Sequence, residues 1–227
     1  MKKAFTMIEL VFVLVIMGIL SAIIMPSVKT NSLQEAAIQL ASHLRYTQHL
    51  AMSDDNYNSL DDKWFKKRWQ LVFSSSAYTG GSDVWAYTIF SDTAGKHTGD
   101  ASESEIAYNP ENSMQIMTGG YGDPESIDIR DSGFKGMKNL NIGQTYGIIG
   151  DNSDLKAVKL HGGCTYNRIS FDYLGRPLKS NLSTMSKPYQ AKSKRLISKD
   201  CIITLTADDK TVDIIIKAET GYISIKY

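Results

Sequence analysis

Residues 5–25 read FTMIELVFVLVIMGILSAIIM, an apolar run that contains a single charged side chain, Glu9. An α-helix rises about 1.5 Å per residue, so this run would be about 30 Å long, which matches the hydrocarbon core of a bilayer. Lys2 and Lys3 precede it, and the positive-inside rule then predicts a cytoplasmic N-terminus. The sequence therefore predicts a transmembrane helix over 5–25, with the rest of the chain beyond the membrane.

A cleaved secretory signal peptide is the alternative, because it also has a basic start followed by apolar residues. Three features disfavour it. The apolar run is longer than a typical signal core, no small-x-small cleavage site clearly ends it, and Glu9 lies inside it.

Glu9 needs a partner if it enters a membrane. A charge at the centre of a membrane helix costs on the order of 2.5 to 3.5 kcal/mol, and less near an end. The next cation in the chain is Lys29. A cation from a neighbouring copy would solve the problem, and a free α-amine at Phe5, left by cleavage after Ala4, would lie at the right depth.

The segment KKA followed by FTMIELVFVLVIMGILSAIIMP resembles the class III leader and N-terminal helix of type IV pilins and pseudopilins. The resemblance implies that a prepilin peptidase cuts between Ala4 and Phe5 and methylates the new amine of Phe5. It also implies that Glu9 pairs with this amine in the adjacent subunit. Ala4 stands where the family usually has Gly, another small residue. The expected partners are other pilin or pseudopilin subunits, the prepilin peptidase and the inner membrane, with a periplasmic head.

We expect four parts: a leader (1–4), the transmembrane helix (5–25), its amphipathic continuation (26–52) and the head (53–227). Apolar residues at helical spacing define the buried face of the continuation: Leu33, Ala37, Leu40, Leu44 and Ala51. The predicted fold class is α+β, with this long helix packed on an antiparallel, sandwich-like β-sheet head, as in pilins.

The head divides by composition. Residues 53–136 are mostly polar and irregular, with strand candidates in WQLVF and VWAYTIF. Residues 140–227 form the predicted β-rich core, whose strand candidates are YGIIG, RISFDYL, CIITLTA, TVDIIIKA and YISIKY. Cys164 and Cys201 lack the close pairing of metal knuckles, so a single disulfide in an oxidising compartment is predicted.

A second resemblance lies in ISFDYLGRPL and the final IIIKAETGYISIKY, which are similar to H-type pseudopilins of type II secretion and FimT-like minor pilins. In ISFDYLGRPL, Phe171 and Leu174 are expected in the core and Gly175 in a turn. Arg176 is either a cation that caps the turn or a recognition residue.

Cations cluster between Asp172 and Asp200, where no acidic residue occurs. They are Arg176, Lys179, Lys187, Lys192, Lys194, Arg195 and Lys199. Such a stretch could follow a phosphate backbone. The alternatives are a solvated loop, or a contact with the acidic 100–131 surface of another subunit. Near residue 64, WFKKRW also interleaves aromatics with cations, although Trp64 could equally be a hydrophobic anchor.

Motifs of catalysis are missing from the sequence, which contains no G-x-S-x-G, HExxH, P-loop or G-x-G-x-x-G. We therefore expect neither an enzyme nor a cofactor. Two hypotheses remain. The first is a minor pseudopilin or pilin that assembles through its N-terminal helix in a type II secretion or type IV pilus-like filament. The second is a DNA-binding minor pilin that acts in competence.

Overall fold

The computed structural model of this chain describes residues 6–24, 31–54, 57–94, 97–122, 126–150, 157–164, 166–188 and 195–227. Side chains of 20–24 are not included. Two compact units are present, 1–31 and 32–227. The predicted leader and residues 26–30 of the predicted helical continuation lie outside the described residues.

The first unit contains helix α1, Met7–Ile24. Its first turn opens at Thr6, whose carbonyl accepts hydrogen bonds from the backbone N–H groups of Glu9 at 3.1 Å and Leu10 at 3.3 Å. The large apolar side chains between Met7 and Ile19 are all at least 46 % exposed. Among the described residues, no helix has both the length and the hydropathy of a membrane span.

The second unit begins with helix α2, Ser32–Ser53. Its buried face is built at helical spacing, as the sequence predicts, from Leu33, Ala36, Ala37, Leu40, Ala41, Leu44, Thr47 and Ala51. Small alanines between the leucines let the helix lie close to the strands beneath it.

Ten antiparallel strands follow α2 in the described part of the second unit. Their bounds are β1 Trp69–Ser76, β2 Gly81–Ser91, β3 Tyr108–Asn109, β4 Asn112–Ile116, β5 Val158–Gly162, β6 Arg168–Phe171, β7 Pro177–Lys179, β8 Cys201–Ala207, β9 Lys210–Ile216 and β10 Ile223–Lys226. One sheet has the order β2-β1-β6-β7, a second has the order β10-β9-β8-β5, and β3 and β4 form a small ribbon. A short helix α3, Ile142–Tyr146, precedes β5.

Helix α2 packs against both four-stranded sheets, and one hydrophobic core is common to all three. The largest fully buried side chains include Tyr87, Phe73, Phe90 and Phe171 from the first sheet. In β8 and β9, buried residues alternate with partly exposed ones, so each strand turns one face to the core. The α+β fold class, a helix packed on antiparallel sheets, is confirmed.

Two details differ from the expectation. Residues 53–136 contribute the long hairpin β1–β2, so the core is not confined to 140–227. The segment YGIIG is not a strand: Tyr146 ends α3, and Gly147 follows with a φ of 73°. The Asn141 side chain caps α3 by accepting from the Gln144 N–H at 2.9 Å, and Gly147 takes the left-handed conformation that ends the helix.

Candidate functional site

Glu9 lies in the first turn of α1, where a carboxylate interacts favourably with the positive end of the helix dipole. It is exposed, and its neighbours along the helix are exposed apolar side chains. Continuous exposed apolar surface of this kind marks an interaction with a membrane or another protein. Ala4 and Phe5, the predicted processing residues, lie outside the described residues.

A family model for the prokaryotic N-terminal methylation motif matches residues 1–25. Residues 1–25 therefore carry the prokaryotic N-terminal methylation motif. The motif is that of membrane-anchored prepilins, and it implies processing by a prepilin peptidase and assembly with other pilins. Pilin-like proteins are generally structural subunits rather than enzymes. No curated protein and no solved structure shows significant similarity to this chain.

A disulfide joins Cys164, which follows β5, to Cys201, the first residue of β8. The two Cα atoms are 4.9 Å apart, within the range that a disulfide spans. Both cysteines are buried, and β5 and β8 pair from Val158 opposite Leu205 to Gly162 opposite Cys201. The bond therefore fixes the edge strand β5 to the second sheet of the head.

The ISFDYLGRPL motif forms a turn around the buried carboxylate of Asp172. Asp172 accepts hydrogen bonds from the backbone N–H groups of Leu174 at 3.0 Å and Arg176 at 2.9 Å. It also accepts from the Arg176 guanidinium through Nε and NH2, both at 2.8 Å. This geometry makes Arg176 a cation that holds the turn. Leu174 is exposed rather than in the core, whereas Phe171 is buried.

The turn is also anchored to α2. The Gln48 side-chain amide donates to the Gly175 carbonyl at 2.8 Å and to the Thr220 carbonyl at 3.3 Å. Gly175 has a φ of 75° and Gly221 a φ of 68°, both in the left-handed region. A single α2 side chain therefore ties together the turn between β6 and β7 and the turn before β10.

The predicted DNA-binding residues belong to the basic segment, residues 173–199. Lys187 and Lys199 are exposed, Lys179 and Arg195 are half-buried, and Lys192 and Lys194 lie outside the described residues. The Lys179 N–H donates to the Arg195 carbonyl at 2.9 Å, and the Ile197 N–H donates to the Pro177 carbonyl at 3.0 Å. Both described ends of the segment are therefore fixed to each other at β7.

Arg195 is partly desolvated, and burial lowers the pKa of its guanidinium. One of its terminal nitrogens donates to the Thr184 hydroxyl. Its buried Nε has no hydrogen-bond partner among the described residues.

The sequence did not indicate the residues elsewhere in the chain that hold the basic segment in place. These belong to the anchor segment, residues 57–69, which contains a short 3-10 helix, Trp64–Lys66. The Lys66 ammonium donates to the Ser183 carbonyl at 2.6 Å, and the Arg68 guanidinium donates to the Pro188 carbonyl at 3.3 Å. More than a hundred residues separate these partners along the chain, so no local pattern signals the contact.

A small hydrophobic cluster lies between the two segments. It is formed by Phe65, Leu178, Leu182 and Met185, with Trp64 packed against it. The Trp64 ring meets the Tyr57 ring edge-on at 5.2 Å between centroids, and the Arg68 guanidinium carbon lies 5.9 Å from its centre. Trp64 therefore acts as the hydrophobic anchor that the sequence left as one of two alternatives.

The described ranges contain no group of three or more His, Cys, Asp or Glu placed to hold a metal ion. His43 and His49, both on α2, have separate surroundings. His43 contacts the Tyr87 hydroxyl at 2.7 Å, and His49 lies 3.5 Å from the Ser53 hydroxyl.

Proposed function

We propose that the chain is a minor pseudopilin or pilin subunit of a type II secretion or type IV pilus-like filament. In this proposal the prepilin peptidase removes residues 1–4 and methylates the amine of Phe5. The N-terminal helix then lies in the inner membrane as a single span, with the N-terminus cytoplasmic and the head periplasmic. Other pilin or pseudopilin subunits receive the helix during assembly.

The observation that carries the proposal is a carboxylate isolated on an exposed apolar helix. Glu9 is the only charged residue in 5–25, and it lies in the first turn of α1. A charge in an apolar medium is retained when a partner offsets its desolvation. The methylated amine of a neighbouring copy would be that partner, four positions earlier in the mature chain. The similarity to H-type pseudopilins and FimT-like minor pilins in 169–178 supports a minor rather than a major subunit.

Replacing Glu9 with Val tests the pairing in cells. The variant should still insert into the membrane, because it removes a desolvation cost, but it should be lost from sheared filament fractions. Membrane extraction followed by immunoblotting measures insertion, and shearing followed by immunoblotting measures incorporation.

Glu35→Gln is the matched control. Glu35 is an exposed carboxylate in the first turn of α2, so it shares the helical position of Glu9 but not the apolar surroundings. This variant should be incorporated like the unmodified chain. Normal incorporation of Glu9→Val would contradict the proposed role of Glu9.

DNA binding is a second candidate function, in which the protein acts as a minor pilin in competence. The observation that favours it is the distribution of charge. The basic segment contains seven cations and no acidic residue, although the whole chain has a formal charge of only +1. Arg176 does not support this candidate, because its guanidinium is already paired with the Asp172 carboxylate. The remaining candidates are Lys179, Lys187, Lys192, Lys194, Arg195 and Lys199.

The test replaces Lys192, Lys194 and Arg195 with Gln and titrates the protein with double-stranded DNA at two salt concentrations. Binding should weaken, and its dependence on salt should become shallower, because fewer phosphates are neutralised. If the unmodified protein shows no salt-sensitive binding even at low salt, this second function is refuted and the filament role stands alone.

A further inference from the structure

A groove lies between the C-terminal half of α2, the start of β1, the end of β2 and residues 104–108. Its volume is about 390 Å³, within the range of ligand-binding sites. We call it the aromatic groove, and its largest lining side chains are Tyr46, Leu50, Trp69, Ile106 and Tyr108. The groove is large enough to admit a long side chain of a partner protein.

Two of the aromatic side chains are held in place at their polar ends. The Trp69 indole Nε1 donates to the Asp54 carboxylate at 2.9 Å, and the Tyr46 hydroxyl donates to the Tyr108 carbonyl at 3.3 Å. Both rings are half-buried and pack against the main hydrophobic core, whereas Tyr108 is 61 % exposed. The orientation of Tyr46 and Trp69 is therefore set before a partner arrives, which lowers the entropic cost of binding.

The charge of the aromatic groove is negative. Asp54 and the buried Glu105 line it, and among the described lining residues there is no Lys, Arg or His. Glu105 accepts hydrogen bonds from the backbone N–H groups of Ala94 and Ser102. These donors carry no positive charge, so the electrostatic complement of the groove is a cation.

The end of α2 adds to this negative field. Asp54 directly follows the helix, and its N–H donates to the Leu50 carbonyl at 2.9 Å. The last turn of a helix carries a partial negative charge, which basic side chains commonly offset. The last turn of α2 contains no basic residue. A cation in the groove would therefore interact favourably with the helix end as well as with the carboxylates.

The walls of the groove favour a particular kind of cation. Aromatic faces attract ammonium and guanidinium groups, most strongly where water is partly excluded. Lysine and arginine also have apolar stems that cover apolar surface while the charged group stays near water. A bare metal ion would leave Leu50 and Ile106 uncovered, and an acidic partner would be repelled by Asp54. The lining therefore matches a lysine or arginine side chain.

We propose that the aromatic groove receives a lysine or arginine side chain of a neighbouring subunit in the filament. This inference rests on the proposed filament function and adds to it a contact made by the head, separate from the pairing at Glu9. It also gives a role to Asp54, whose charge lies at the end of a helix where a carboxylate is unfavourable.

The binding test uses the full-length protein in detergent. The probes are N-acetyl-arginine amide and N-acetyl-lysine amide, with N-acetyl-norleucine amide as the uncharged counterpart. The NMR signal of the Trp69 indole N–H, assigned by its loss in Trp69→Phe, reports occupancy. Both cationic probes should shift this signal saturably, and the norleucine probe should shift it far less. Asp54→Asn should weaken binding of the cationic probes about fivefold at low salt, because it removes one charge but keeps an acceptor for Trp69.

Tyr108 tests the aromatic wall. Tyr108→Leu should weaken binding of the cationic probes, whereas Tyr108→Phe should retain it, because only the first removes an aromatic face. Neither change touches the backbone carbonyl that Tyr46 uses. Asp83→Asn is the matched control for Asp54→Asn, since Asp83 is an exposed carboxylate toward the opposite end of β2 from Ser91. Thermal unfolding of each variant separates loss of binding from loss of structure.

The partner is tested in cells with the double variant Asp54→Asn, Tyr108→Leu. It should insert into the membrane normally and be depleted from sheared filament fractions, whereas Asp83→Asn should be incorporated like the unmodified chain. If the cationic probes bind but the double variant is incorporated normally, the groove does not receive a neighbouring subunit and the inference is refuted.

Failure of the inference and failure of the filament function give different results. If no probe shifts the Trp69 signal, or if the norleucine probe shifts it equally, the cation site is refuted and the filament function survives. If Glu9→Val is incorporated normally, the proposed filament function fails, and the inference fails with it.

Discussion

Burial of His43 makes the stability of the head depend on pH. His43 lies on α2, and its Nδ1 is 2.7 Å from the Tyr87 hydroxyl. The Gln39 side-chain amide donates to the same hydroxyl oxygen at 2.8 Å. The hydroxyl proton is thereby directed to His43 Nδ1, which accepts it only in the neutral imidazole. Desolvation by burial lowers the pKa of His43 to about 4.

The direction of the effect follows from proton binding. In the unfolded chain His43 takes up its proton near pH 6.5, whereas in the folded head it does so near pH 4. Between these values the unfolded state binds more protons, so stability falls as pH is lowered. This difference in pKa corresponds to about 3 kcal/mol of unfolding free energy, which is lost progressively as the pH falls from 6.5 to 4.

Urea unfolding of residues 32–227, a compact unit with its own complete core, measures this loss. His43→Gln keeps a hydrogen-bonding side chain but cannot titrate. Between pH 7 and pH 4 the unfolding free energy of this variant should therefore fall by about 3 kcal/mol less than that of the unmodified head. Other titrating groups are common to both proteins and cancel in the difference. His49→Gln, on the exposed side of α2, should behave like the unmodified head. Parallel curves for the unmodified head and His43→Gln would refute the reasoning.

Two further changes test the framework of the head. Removing the bond between Cys164 and Cys201 by a double substitution to Ser should lower the free energy of unfolding by about 4 kcal/mol, because the closed loop spans 37 residues. Alkylation of the exported, non-reduced protein should find no free thiol. Two free thiols would contradict the bond. Gly221→Ala should destabilise the head by at least about 1 kcal/mol in thermal or urea unfolding, because the residue has a φ of 68° and an added Cβ would lie 2.3 Å from the Gly175 carbonyl oxygen. Gly133→Ala, where a Cβ would meet nothing within 4 Å, is the control and should be nearly neutral.

The parts of the fold that local sequence patterns specify were predictable. Helical spacing from Leu33 to Ala51 identified the buried face of α2, and short β-branched or aromatic runs between turn residues identified β8, β9 and β10. The short run YGIIG was misassigned because a few apolar residues fit a strand or a helix end equally well. The cap from Asn141 and the left-handed conformation of Gly147 make this segment a helix end rather than a strand.

The candidate sites divide in the same way. Glu9 stands out in the sequence because a lone charge in an apolar run is a local signal, and its pairing with a neighbouring subunit stays a prediction. The contact of Lys66 with Ser183 was not, because it depends on how the anchor segment and β7 are placed by the fold. The sequence left two possible roles for Arg176, turn capping and recognition. The contacts of its guanidinium with the Asp172 carboxylate favour turn capping.

The central proposal, that this chain is processed by a prepilin peptidase and assembled as a filament subunit, is tested most directly by the mass of the N-terminus. Protein extracted from the membrane and analysed intact by mass spectrometry should lack residues 1–4 and carry one methyl group on Phe5. An intact Met1, or a cut near Met25 as for an ordinary signal peptide, would contradict the account.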